Sequence, residues 1–187
     1  MIIVHGGQSG VDRGAHEAAI DNGWQLEGYM PRDGRDELGR IPADVARFLT
    51  PHEKTNYAAR TEANVRMSSA VLIVVRNAED PRTTPGTAKT IDLAAQRNLR
   101  RMIVDPTTDA AQIARWIWSG RLPLPLLDLF EPTREATPTR LLVAGPRESK
   151  WAGARAQTAA LLRRVAQVLA EIPRTPEPKQ DLTGPRR

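Results

Sequence analysis

The residues with the clearest chemical potential lie in one stretch, HGGQSGVDRG, from His5 to Gly14. Gly6, Gly7 and Gly10 allow backbone angles that a Cβ forbids, and they let a ligand approach the main chain closely. The helical pattern that follows, with Ala15, Ala18 and Ala19 on one side, would offer the unpaired N–H groups of its first turn and the positive end of its dipole. Such a place stabilises an anion without a basic side chain, and phosphate is the natural guest. The string is neither a Walker loop, since no Gly-Lys-Ser/Thr follows, nor a GxGxxG fingerprint. A plainer reading competes, in which the glycines only ease a tight strand-to-helix turn. Asp12 is open in the same way: it strengthens the helix from its opening turn, or it holds Arg13 or a ligand hydroxyl.

Further candidates recur along the chain. A polar turn from Arg76 ends in TTPGTAKT, and GPRES follows an apolar run that closes at Ala144. In the helical segment 56–67, Arg60 and Asn64 are four apart, as are Glu62 and Arg66, so each pair shares a face. For Glu62 with Arg66 the plain account is a surface ion pair worth about a few tenths of a kcal/mol. His5, His16 and His52 show no metal-ligand spacing and read as packing or surface residues. No metal site is expected.

These groups need a scaffold, and the chain alternates strand and helix signals. Ile2 to Val4 reads as a strand, followed by a helix to about Asn22 with Gly23 as its stop. Trp24 to Tyr29 alternates like an edge strand, while the irregular, charged stretch from Met30 to Pro51 reads as a lid or binding loop. Ala70 to Val75 is an unbroken apolar run, the type buried on both faces of a parallel sheet. A helix marked by Ala88, Ile91 and Ala95 follows and ends at Asn98. Then come the strand Met102 to Val104 and a helix capped by Thr108 or Asp109, with Ala110, Ile113, Ala114 and Ile117 on one face. Leu122 to Phe130 is apolar but holds Pro123 and Pro125, which suits packing on the domain surface or against another subunit, as in a homo-oligomeric dimer or tetramer. Leu141 to Ala144 is the last strand, before a helix burying Leu161, Leu162, Val165 and Leu169 and ending at Pro173.

The expectation is an α/β Rossmann-like fold, doubly wound, with a mainly parallel sheet and helices on both faces. Ligands bind such sheets at the strand carboxyl ends where strand order reverses, so the turns after Val4, Val75 and Ala144 should converge. With 187 residues, 40% of them hydrophobic, the chain can bury one core, expected over 1–172, with a Pro-rich charged tail at 173–187. There is no cysteine, which excludes disulfides and thiolate chemistry. Nothing approaches a membrane span and nothing resembles a signal peptide, so a soluble cytoplasmic protein is expected. A net charge of +5 favours anionic partners.

The motifs GGQSGVDRGAHEAA, YAARTEANVRMSSAVLIVV, PGTAKT and LLVAGPRES, in that order over roughly Met1 to Ile172, resemble the circularly permuted YpsA branch of the SLOG superfamily, a group named for molybdenum carriage. The resemblance implies a Rossmann-like fold and a nucleotide-like ligand or the molybdenum cofactor (molybdopterin), a pterin with a terminal phosphate. Wider relatives hydrolyse the N-glycosidic bond of nucleoside monophosphates or bind single-stranded DNA. Carried over by motif, Gly6, Gly7, Gln8, Ser9 and Gly10 form the first phosphate turn, with backbone N–H groups and the Ser9 hydroxyl as donors. Gly86 and Thr87 form the second, with Thr90 a turn further on. Gly145, Pro146, Arg147, Glu148 and Ser149 form the third, where Arg147 could grip phosphate in two-pronged fashion. The nucleotide-cleaving relatives resemble PGGxGTxxE, and Thr90 stands here where they carry glutamate.

Three functions follow. The first is a binding module that holds a phosphorylated nucleotide-like or pterin-like small molecule, as carrier or sensor, with Arg13, Arg60 and Asn64 among the ligand-binding residues. The second is a nucleotide hydrolase acting on an N-glycosidic or phosphate bond, with Glu62 or Asp12 activating water and Arg147 or Arg66 clamping phosphate. The third is nucleic-acid binding through the basic surface, for which the chain offers few aromatics.

Overall fold

A computed structural model describes residues 1–119 and 139–172. Nine strands and six helices occur among them: β1 Ile2–Val4, α1 Val11–Asp21, β2 Gln25–Glu27, β3 Tyr29–Met30, β4 Arg35–Asp36, β5 Gly39–Arg40, α2 Ala43–Ala46, β6 Thr50–Pro51, α3 Tyr57–Met67, β7 Ala70–Val74, α4 Pro85–Gln96, β8 Arg100–Val104, α5 Ala110–Ser119, β9 Arg140–Ala144 and α6 Ala154–Glu171. The main sheet runs β2-β1-β9-β7-β8, and every neighbouring pair in it is parallel. Strand order reverses around β9, the last strand in sequence, which sits between β1 and β7. The expected α/β doubly wound fold is present.

The period of two along the strands explains the two layers. Leu72, Val74, Leu141 and Val143 point to the side covered by α1, α5 and α6, where Ala15, Ile113, Leu161 and Val165 meet them. Val71, Ile73 and Leu142 point the other way, toward Val65 of α3 and Ile91 of α4. Burying a side chain of this size stabilises the fold by about 1.5–3 kcal/mol, so the central strands carry much of the driving force. The small residues of α1 let α6 lie close, and the Arg155–Glu17 and Arg163–Asp21 ion pairs tie the two helices at the surface.

Three expectations need correction. The stretch from Met30 to Pro51 is not irregular: β3 pairs with β6, β4 with β5, and Ile41, Val45 and Leu49 form a small core of their own. Their four-residue spacing is what lets one short segment bury three apolar groups together. The edge strand stops at Glu27, because Gly28 (φ 143) passes against the His5 carbonyl and turns Tyr29 into the neighbouring small sheet. On α4 the buried face is Thr87, Thr90, Ile91 and Ala94, with Ala88 and Ala95 at its margins. The segment Leu122 to Phe130, the stop at Pro173 and the tail 173–187 lie outside the described residues.

Candidate functional site

The turn after β1 is organised by its own side chains. Asp12 Oδ2 accepts hydrogen bonds from Gly6 N–H (3.0 Å) and Gln8 N–H (3.1 Å), while Gly7 N–H donates to His5 Nδ1 (3.1 Å). Three of the amides that the motif offered to phosphate, those of Gly6, Gly7 and Gln8, are therefore engaged within the turn. His5 is fully buried beside His16, with its Nε2 3.3 Å from His16 Nδ1. Burial, helped by His16, Arg13 and Arg60, lowers the His5 pKa to about 3, so the ring is neutral and Nδ1 is free to accept. Arg13 is also part of the framework: it pairs with buried Asp36 at 2.8 Å and donates from Nε to Gly7 O.

Two turns from opposite ends of the sequence meet at Gly10. It has φ 73, and a Cβ there would stand 2.5 Å from Pro146 O and 2.7 Å from Glu148 N. Only glycine lets the β1 turn lie against the β9 turn. Gly145 is constrained likewise, since a Cβ would strike the Val74 carbonyl and Val11. Glu37, from the β4–β5 hairpin, staples the junction: its carboxylate accepts from the Ser9 hydroxyl, the Ser149 hydroxyl and Ser149 N–H (2.9 Å). Burial opposes its ionisation, but the Ser149 and Ser9 hydrogen bonds win and hold its pKa below the ordinary value. Glu148 caps α6, accepting from Gly153 N–H (2.5 Å) and Arg155 N–H (3.1 Å). Ser9, Glu148 and Ser149 thus build the wall rather than face a ligand.

The third turn is the start of α4. Thr84 caps it, accepting from Thr87 N–H (3.2 Å), and the Thr87 side chain is buried beneath. Gly86, in the first helical turn, faces open space, and Thr90 Oγ1 donates to Gly86 O (3.1 Å). Pro85 has no N–H, so the Gly86 amide is the donor of this turn left without a partner among the described residues, at the positive end of the helix dipole.

All three turns border one cavity of about 410 Å³ at the carboxyl ends of β1, β9 and β7, lined by Gln8, Asp12, Arg60, Asn64, Gly86, Thr90, Gly145 and Arg147 from the predicted set. Arg60, Lys89, Arg147 and Lys150 supply four positive charges against Asp12 and Glu37. Arg60 donates to Gly6 O (3.0 Å), and burial lowers its pKa; Arg147 and Arg60 lie 5.1 and 5.9 Å from the ring centre of Tyr57. Burial pushes the Asp12 carboxyl up, while Arg60, the Gln8 and Gly6 amides and Arg147 pull it back. The Asn64 side-chain amide accepts from Tyr29 N–H (2.7 Å) and donates to Tyr29 O (3.1 Å), so it shapes the wall. Gln8 is different: its carboxamide is buried at the cavity and neither of its polar atoms has a partner.

Glu62 and Arg66 are not brought to this cavity. They pair with each other at 3.6 Å, half or more exposed, on a separate hollow of about 400 Å³ with Tyr29 and His52. The sequence reading missed Tyr57, Thr61, Lys89, Lys150 and Glu37. Helical spacing could have found the first two, since 57, 60, 61 and 64 share one face of α3. Lys89 lies one turn after Gly86. Nothing local marks Glu37. Among the described residues no cluster of three His, Asp or Glu side chains could hold a metal ion, and no helix is long and apolar enough to cross a membrane.

The comparisons agree with this fold. A family model described as the circularly permutated YpsA SLOG family matches residues 3–166. Among curated proteins none matches. A crystal structure described as "Putative molybdenum carrier protein", from Syntrophus aciditrophicus SB, is similar, with a TM-score of 0.70 at 26% identity over 90% of this chain and 93% of that one.

Proposed function

The chain belongs to the circularly permuted YpsA SLOG family, and from that premise we propose that its cavity binds a phosphorylated nucleotide-like or pterin-like small molecule, as a carrier or sensor. One observation carries the reading: four cationic side chains and the exposed amide of Gly86 converge on a single cavity at the strand carboxyl ends. Its volume suits one nucleotide-sized ligand. The name of the Syntrophus protein points toward a molybdenum-bearing ligand such as molybdopterin. The residues present fit the phosphate and ring of such a molecule, and they offer no ligand set for the metal itself.

Binding is favoured over hydrolysis by what the carboxylates are doing. Asp12 is spent on two backbone amides, Glu37 on two serines, and Glu62 lies outside the cavity. Thr90 leaves no acid on α4 facing the ligand. Asp12 takes both amides on Oδ2 and keeps Oδ1 uncommitted, so a hydrolase reading would rest on that oxygen.

The test is thermal unfolding with nucleoside monophosphates, dinucleotides and a pterin phosphate. A ligand at about a hundred times its Kd adds roughly 2.7 kcal/mol, which raises Tm by about 5–10 °C for a chain of this size. Analysis of the same incubations for released base or phosphate should show none. A flat Tm across the whole panel would sink the binding reading, and turnover would replace it with the hydrolase.

A further inference from the structure

Gln8 lines the cavity at 4% exposure, and its Nε2 and Oε1, both closed to solvent, have no hydrogen-bond partner among the described residues. Buried polar atoms are paired in almost all folds, so an unmatched donor and acceptor on one rigid plane call for something that supplies both. The Gln8 backbone N–H is held by Asp12 at 3.1 Å, and the other carboxamide on the wall, Asn64, has its oxygen and one of its N–H groups engaged by Tyr29.

We infer that Gln8 is the specificity residue of the site and reads the edge of the ligand's ring, a planar nitrogen heterocycle presenting a hydrogen-bond acceptor beside a donor. The amide and amidine edges of purines, pyrimidines and pterins have this pattern, and a glutamine carboxamide pairs with adenine through two hydrogen bonds for the same reason. The inference rests on reading the cavity as a phosphate-ligand site. Position supports it. Gln8 lies on the turn after β1 and Gly86 on the helix after β7, with β9 between them. Two strand spacings, roughly 10 Å, separate β1 from β7, and Gln8 and Gly86 line the same cavity.

Calorimetric titration of the full chain with AMP, GMP, 6-hydroxymethylpterin phosphate and ribose 5-phosphate tests this. At least one of the three ring-bearing probes should bind about tenfold or more tightly than ribose 5-phosphate, which carries phosphate and sugar alone. Gln8→Leu should bring that probe down to the ribose 5-phosphate level and leave ribose 5-phosphate itself unchanged. Gln8→Glu keeps the shape but only accepts, so it should favour GMP, whose N1–H and N2–H2 both donate, over AMP relative to the parent. Equal affinity of the parent for all four probes, or discrimination that survives Gln8→Leu in a folded variant, overturns the role of Gln8 while leaving the phosphate site standing. If none of the four binds, the site itself fails and the inference goes with it.

Discussion

Lowering the pH from 7 to 5 should cost the fold about 2 kcal/mol through one imidazole. In the native state His5 is neutral, and its Nδ1 must accept from Gly7 N–H, so its own proton sits on Nε2, facing His16. A second proton on His5 would set two donors against each other at Nδ1 and place a cation near Arg13 and Arg60 in a buried site. Its pKa is accordingly lowered from 6.5 to about 3. Between those values the unfolded chain holds a proton that the native state refuses, so stability rises with pH, is complete above 6.5 and is lost as pH falls toward 3. Each pH unit below 6.5 removes about 1.4 kcal/mol, which gives about 2 kcal/mol at pH 5 and about 5 kcal/mol over the whole window. Other groups titrate too, and buried Asp12, whose raised pKa favours the folded state in acid, works in the opposite direction. The His5 contribution is isolated by His5→Asn, whose Oδ1 can still accept from Gly7 N–H. Urea unfolding followed by tryptophan fluorescence at pH 7 and pH 5 gives the two stabilities. The parent's pH 7 to pH 5 loss should exceed the variant's by about 2 kcal/mol. Equal losses in parent and variant would refute the neutral, accepting His5.

Four further outcomes follow. Gly10→Ala places a side chain at φ 73 against the Pro146 and Glu148 backbone, and it should cost about 2–3 kcal/mol, or about 5–10 °C in Tm; an unchanged Tm refutes the contact. Arg147→Ala should weaken monophosphate binding by about 10–100-fold at unchanged Tm of the free protein, and Arg147→Lys should restore only part of it, because the fork geometry is lost; full affinity in the alanine variant by calorimetry would remove Arg147 from the site. Glu37→Gln should flatten acid unfolding: the depressed Glu37 pKa means a contribution that is complete above its ordinary 4.5 and lost as pH falls below it, so an unchanged acid profile by circular dichroism refutes the staple. Asp12→Asn keeps an oxygen for the Gly6 and Gln8 amides but removes the negative charge beside Arg60, so calorimetry should show monophosphate affinity held or raised, and a fall in a folded variant contradicts the organising role.

The layers were legible because they follow from local period. The β-branched run at 70–75 could only be a strand buried on both faces, and the Ile113, Ala114, Ile117 spacing could only be a helix stripe. The three turns were legible as places, since glycines and strand ends mark them. Their chemistry was not. The amides of the first turn looked like donors to a ligand, and only the folded positions of Asp12 and His5 show them taken. Arg13 and Arg60 are alike in sequence, yet one is locked to Asp36 and the other reaches the cavity, because the hairpin carrying Asp36 folds over the first turn. Glu37 was invisible for the same reason: its partners Ser9 and Ser149 lie 28 and 112 residues away.

That division of labour bears on how such a site recognises its guest. A phosphate loop that spends its main-chain donors on the ligand is rigid and specific for phosphate geometry. Here the first turn spends its Gly6, Gly7 and Gln8 amides on Asp12 and His5, so in the proposed reading the anion is held by long side chains, Arg147, Lys89 and Lys150, and by the end of α4. Such charges act over a distance of several ångströms and tolerate different phosphate positions, at the expense of being screened by salt. Selectivity then has to come from the part of the cavity that is rigid and buried, which is the first turn itself, held by Gly10 against the β9 loop and carrying Gln8 on its inner side. Under the proposed reading, the internal hydrogen bonds that occupy these amides are what make the turn a stiff mount for a ring reader.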